Sequence, residues 1–195
     1  MFEGYSRNKY VSTGVIQWML NNAWPEMIWH LYDYYLNTGG SYFGAKKGCE
    51  PVHIQYSYDD NSIWVINSLY QDQSNMLALV EVYDFDANQL YSQEYPIATI
   101  NADSSVNVTV IPKLSALTTT YFVRLILTNG SSIISRNFYW LSTSQDVLDW
   151  SDSNFFRTAC SSYADFTMLE TLPAVELEYS FKTESFGEGQ KTIGI

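Results

Sequence analysis

From residue 51 onward, apolar and polar positions alternate with a period of two, interrupted at regular intervals by turn residues. VHIQYSYDD (52–60) and SIWVINSLY (62–70) meet at Asp60-Asn61, whose short polar side chains favour a turn. MLALVEVYDFD (76–86) follows, then a break at Ala87-Asn88, then QLYSQEYPIATI (89–100). SSVNVTVIP (104–112) closes at Pro112. The run TTYFVRLILTNGSSIISRNFYWL (119–141) predicts a hairpin in which Asn129-Gly130 takes the two positive φ angles of a type I′ turn. Six or seven strands at this spacing predict a mainly β fold, with an immunoglobulin-like β-sandwich over residues 51–142.

Residues 1–50 follow another pattern. Val15 to Leu20 is apolar apart from Gln17, as in a strand covered on both faces. Pro25 suits the first turn of a helix, and Glu26 places a negative charge near its N-terminus. Ile28, Leu31, Tyr32, Tyr35 and Leu36 recur at helical spacing, and Gly39-Gly40 provides a stop. With a short helix around Glu3 ahead of it, this stretch predicts one β-α unit of a larger parallel architecture. A strand of that kind needs partners on both sides, so the fragment is expected to associate through exposed backbone and apolar surface.

Past Ser142 the periodicity fades. DVLDWSDSNFF (146–156) reads as a linker packed back on the sandwich, and LPAVELEYSF (172–181) as one further strand opening a second sandwich. The last ten residues, FGEGQKTIGI, read as a disordered or foreign tail.

Composition narrows the function. Hydrophobic residues make up 46% of the 195 positions and charged ones 16%, a globular balance. The net charge of −11 excludes a nucleic-acid partner, which needs clustered Lys and Arg, and suits a cationic polymer. No apolar run is long enough for a helix to cross a bilayer, so no membrane partner is expected. Cys49 and Cys160 read as free, partly buried thiols, with a disulfide between them as the alternative. His30 and His53 lie in no ligand-spaced cluster, and phosphate-cradling and nucleophile motifs are missing, so no cofactor or metal is expected.

The aromatic content is unusual: 16 Tyr, 10 Phe and 6 Trp. Strands absorb most of it. GVIQWMLNNAWP (14–25) does not fit that explanation, because it sets Trp18 and Trp24 around two asparagines at a strand end. Functional residues of a β/α barrel stand at the C-terminal ends of its strands. An indole face can stack on a pyranose, and a primary amide can bond two sugar hydroxyls. A sugar subsite and a simple aromatic plug both satisfy this pattern.

WMLNNAWP resembles the W-x-L-N-D-x-W-P run at the last barrel strand of family 2 glycoside hydrolases. The likeness continues through IWHLYDYY, YFGAKKGCEPVHIQYS, YWLSTSQDVLDWSDSNFF and SSYADFTMLETLP, covering most of residues 1–180. The longer blocks look most like the exo-β-D-glucosaminidase branch, with β-mannosidases and endo-β-mannosidases as near relatives. This resemblance implies that residues 1–50 end a (β/α)8 catalytic barrel, that 51–142 form the sandwich, and that 143–195 carry a linker and the start of a second sandwich. It implies a retaining hydrolase that removes non-reducing-end β-D-glucosamine from chitosan oligosaccharides, with an amino-sugar oligosaccharide and the rest of the barrel as partners. The family's two catalytic glutamates fall upstream of the matching blocks, so no catalytic residue is carried over and the chain alone is expected to be inactive. Trp18, Asn21 and Trp24 match sugar-contacting positions, while Asn22 replaces an aspartate common in the mannosidases. A β-mannosidase and a non-catalytic polysaccharide-binding sandwich are the alternatives.

Overall fold

The computed structural model describes all residues except 27, 28, 177, 179, 181, 186–190 and 195. Its centre is two facing sheets. One has the order β1-β2-β5, from Val52–Tyr56, Ser62–Asn67 and Ser104–Val110. The other has the order β4-β3-β6-β7, from Gln89–Ile100, Gln73–Tyr83, Thr120–Asn129 and Ser132–Ser142. All ladders are antiparallel. Alternate side chains point inward, so Ile54, Ile63, Val65, Val80, Val123 and Leu125 interleave with no solvent contact in one core. The period-two reading therefore holds, and the two layers form the expected sandwich.

Asn129 pairs with Ser132, which leaves Gly130 and Ser131 as the hairpin loop. Gly130 has φ +57°, while Asn129 is not among the positive-φ residues. Glycine in the first of two loop positions is the type II′ arrangement, a correction to the expected type I′ turn. The ladder also shifts register between Leu127 and Thr128, next to the turn.

The expected β-α unit does not form. Val15 to Leu20 is irregular, with Asn21 making one parallel bridge to Tyr32. A lone strand has no backbone partners and gains nothing from extension. Residues 29–39 are turns and bridges rather than helix, and Ile28 lies outside the described residues. Asp33 competes with helical bonding: its backbone N–H donates to Asn37 O at 3.0 Å, and its carboxylate accepts from the Asn37 N–H at 2.8 Å. Tyr34, Tyr35 and Leu36 are exposed, so no packing offsets the cost of a short helix.

Helix instead begins where the glycine pair was expected to stop it. The helix α1, Phe2–Arg7, and α2, Gly40–Gly48, lie against one another. A Cβ on Gly48 would sit 2.9 Å from Phe2 Cβ, so glycine permits this approach.

Beyond the sandwich, β8 (Val147–Asp149) and β9 (Ala159–Ser162) form a small hairpin inside the expected linker region. The described residues between 172 and 180 are not strand. Leu177, Tyr179 and Phe181 of that expected strand lie outside the described residues. Strand β10, Lys182–Ser185, pairs with β11, Lys191–Gly194, so residues 191–194 of the expected disordered tail are strand. Residues 186–190 and 195 lie outside the description. Cys49 is exposed rather than partly buried, and Cys160 is half-buried; both are free.

Candidate functional site

The aromatic lip stands in solvent. Trp18 is 70% and Trp24 72% exposed, and Asn21 is exposed beside them. The Leu20 carbonyl accepts backbone N–H groups from Leu31 and Tyr32 at 3.1 and 3.0 Å, and Gln17 Nε2 donates to the Trp29 carbonyl at 2.8 Å. These bonds fold residues 29–32 back against the lip without a helix or strand.

Asn22 is the buried member of the amide pair. Its Nδ2 donates to Glu26 Oε1 at 2.8 Å. An aspartate there could not donate, and would set a second negative charge against Glu26. The Asn22 substitution noted in the sequence is thus matched to its neighbour rather than aimed outward.

Beside the lip lies a cleft of about 550 Å³, lined by Glu26, His30, Asp33, Tyr35, Asn37 and their neighbours from Pro25 to Ser41. Trp18, Asn21 and Trp24 are not among its described lining residues. His30 is buried, its Nε2 unpartnered among the described residues. Hydrogen bonds from Asn37, the larger share from its side chain, hold the Asp33 carboxyl below its ordinary range.

A second polar cluster went unread in the sequence. His53 is 1% exposed, with Nε2 2.7 Å from Glu3 Oε1 and Nδ1 3.0 Å from Glu50 Oε2. Glu3 Oε1 also accepts from Asn137 Nδ2 and Tyr139 OH, both at 2.8 Å. Glu50 accepts from Ser135 Oγ at 2.7 Å and Lys47 Nζ at 2.6 Å. Burial pushes the Glu50 carboxyl up, but donors from Lys47, His53 and Ser135 outweigh it and hold the group below its usual range. Burial, reinforced by the Glu3 charge, drives the Tyr139 phenol far above its ordinary value. Glu3 Oε1 is thereby held by three protein partners, His53, Asn137 and Tyr139, which gives this carboxylate an anchoring role between α1 and the sandwich. The available sequence signal was Glu50-Pro-Val-His53, two polar groups flanking the start of an alternating strand.

Around this cluster, α1 is held down by further pairs. Gln55 Nε2 donates to the Glu3 carbonyl at 2.9 Å, Arg7 forms a two-pronged pair with Asp59 at 2.8 and 2.9 Å, and Lys9 meets Asp103 at 2.7 Å. The N-terminal helix is therefore fastened to the β1-β2-β5 sheet.

Residues 59–146 match the mannosidase Ig/CBM-like domain family. Over its whole length the chain is 39% identical to an exo-β-D-glucosaminidase from Streptomyces avermitilis. It superposes on the crystal structure of the exo-chitosanase from Amycolatopsis orientalis with a TM-score of 0.91, 36% identity and 98% of the chain covered. The chain belongs to glycoside hydrolase family 2, in its exo-β-D-glucosaminidase-like branch. A mannosylglycoprotein endo-β-mannosidase from Lilium longiflorum is 26% identical over 72% of the chain, which places the mannosidases among its relatives. The chain spans 22% of the Streptomyces protein and 15% of the Lilium one, and covers 23% of the Amycolatopsis structure.

Proposed function

We propose that this chain is one part of a retaining family 2 hydrolase that removes non-reducing-end β-D-glucosamine from chitosan oligosaccharides. In this reading residues 1–50 close a (β/α)8 barrel, the sandwich supports it, and Trp18, Asn21 and Trp24 form one wall of the sugar subsite. The supporting observation is the identity to exo-β-D-glucosaminidases along the whole chain. A single-site variant of the Amycolatopsis exo-chitosanase is known in complex with PNP-β-D-glucosamine. The solvent-facing indoles suit a wall whose opposite side is supplied by other parts of the enzyme. Contacts of this kind orient a sugar, while acid and nucleophile chemistry in a retaining enzyme needs two carboxyl groups about 5 Å apart. We assign that pair to upstream barrel strands, and the chain alone to no turnover.

A chimera tests this. The matching segment of the Streptomyces enzyme is replaced by this chain, and hydrolysis of aryl β-D-glucosaminide and β-D-mannoside is compared. Retained glucosaminidase activity that falls on Trp18→Ala supports the assignment. Activity indifferent to Trp18→Ala removes the subsite role, and a preference for mannoside favours the mannosidase reading, to which the Ig-domain match also points.

A further inference from the structure

We propose that the sandwich carries a second carbohydrate site, remote in sequence from the lip, which binds a cationic amino-sugar unit without acting on it. Where the ends of β1, β6 and β7 meet residues 144–166 there is a cleft of about 400 Å³. That volume lies within the range of small-ligand clefts, ~300–1,000 Å³. Its aromatic side is formed by Tyr58, Tyr121 and Phe166, and Gln145 and Asp146 stand at its polar side.

Tyr58 is the feature that singles this cleft out. It is 63% exposed, yet its ring is braced by edge contacts to Tyr56 at 5.4 Å and Tyr139 at 6.0 Å between centroids. Both supporting rings belong to the buried core. An exposed ring held in one orientation loses little entropy when a flat, apolar sugar face stacks on it.

The polar side is also fixed in place. Asp146 Oδ1 accepts the Ala164 N–H at 2.8 Å, the Asp165 N–H donates to the Ser144 carbonyl at 3.1 Å, and the Thr143 N–H donates to the Thr119 carbonyl at 2.8 Å. With Oδ1 engaged, Oδ2 remains to accept from a ligand. A carboxylate beside aromatic rings recognises an ammonium group through a charge-assisted hydrogen bond and cation–π attraction together. Gln145 can bond neighbouring hydroxyls through its amide. Asp146 is the one carboxylate among the described lining residues, so the cleft lacks the carboxyl pair that glycoside cleavage uses. The net charge of −11 draws a polycationic oligomer towards this surface.

The sugar class rests on the glucosaminidase reading; the cleft and its aromatic platform do not. Calorimetric titration of the 195-residue chain with a β-1,4-glucosamine tetramer, and with its N-acetylated counterpart, tests both. The glucosamine tetramer should bind, and Tyr58→Ala should weaken it about tenfold. Asp146→Asn keeps the acceptor for the Ala164 N–H but removes the charge; it should weaken the glucosamine tetramer about fivefold and leave the acetylated one unchanged. Tyr70→Ala, at an exposed ring outside the cleft's described lining, should change neither. Circular dichroism and melting temperature confirm that each variant folds. Absence of binding by the parent chain, or binding unaffected by Tyr58→Ala, overturns the site. Loss on Trp18→Ala alone assigns binding to the lip, which overturns the second site while supporting the proposed function. Equal effects of Asp146→Asn on both tetramers overturn the cationic preference.

Discussion

Glu3 and His53 stand 2.7 Å apart at opposite ends of a 50-residue separation, and their contact joins the first helix to the outward face of β1. Tyr139 and Asn137 from β7 bond the same Glu3 oxygen, so one carboxylate links α1 to both sheets. Replacing Glu3 by Ala takes this acceptor from His53 and Tyr139 in a largely buried place, while Asn137 keeps the Ile54 carbonyl and the Tyr139 hydroxyl. Breaking such a buried pair costs about 3 kcal/mol. Urea unfolding should show this loss, together with faster hydrogen exchange in residues 2–7; a loss below about 1 kcal/mol would show that water replaces the carboxylate without penalty.

Gly48→Ala should also destabilise the N-terminal junction. The new methyl would lie 2.9 Å from Phe2 Cβ, and both atoms are close to the backbone, so the helices must separate. Overpacking of this kind costs about 1–3 kcal/mol. Gly44→Ala, with open space around its Cβ, is the control and should stabilise α2 slightly.

Stability should fall on both sides of neutrality, from different groups. Tyr139 and Tyr56 are buried, and burial is the main reason their phenols are raised above 10 in the folded chain. Above pH 10 the unfolded chain loses these protons while the folded chain keeps them, so stability drops by up to about 1.4 kcal/mol per pH unit for each. Tyr91, buried in part and bonded to Tyr95 at 2.5 Å, is pushed up to about 12. On the acid side, the depressed Glu50 contributes stability above pH 4.5 that disappears as pH falls through its folded value. Ultraviolet titration should resolve tyrosines that ionise only on alkaline unfolding. Tyr139→Phe should flatten the alkaline limb, and an unchanged limb would count against its burial as the cause.

Asn22→Asp tests the lip's internal fit. The aspartate would lose the hydrogen bond to Glu26 and oppose its charge. Hydrogen exchange at Leu31 and Tyr32, whose amides bond the Leu20 carbonyl, should accelerate, and Glu26→Gln should reverse the effect. Unchanged exchange would mean that Asn22 does not hold this fold-back.

Trp18→Ala should leave stability within about 0.5 kcal/mol, because the indole is largely exposed. It should reduce self-association measured by light scattering, since Ile16, Trp18, Leu20 and Trp24 present apolar surface together along one segment. A monodisperse parent chain would contradict this second expectation.

The sandwich was legible because alternation reports directly on two-sided packing. QLYSQEYPIATI, read as a strand over 89–100, is β4 with those bounds. The strand and helix expected between residues 15 and 36 are absent because helical spacing in Leu31, Tyr32, Tyr35 and Leu36 describes a face that needs a covering layer, and their described surroundings supply none. GSYFGAKKG has three glycines and poor helix propensity, yet it forms α2, where Ala45 and Gly48 are buried. The candidate lip is visible in the sequence as Trp18, Asn21 and Trp24; Asn22 stands out there only as a departure from the mannosidase aspartate, and its bond to Glu26 is visible only in the fold.

Sequence alone determined the sandwich strands and the family likeness, because each is written in local period or residue identity. What covers the other face of a strand is a matter of distant chain segments. β1 alternates like a half-solvated strand, with His53 and Gln55 on its polar side, yet all five of its residues are buried. Only the tertiary structure lays α1 across that side, and Glu3 and the backbone around it satisfy the polar groups that burial would otherwise leave unpaired.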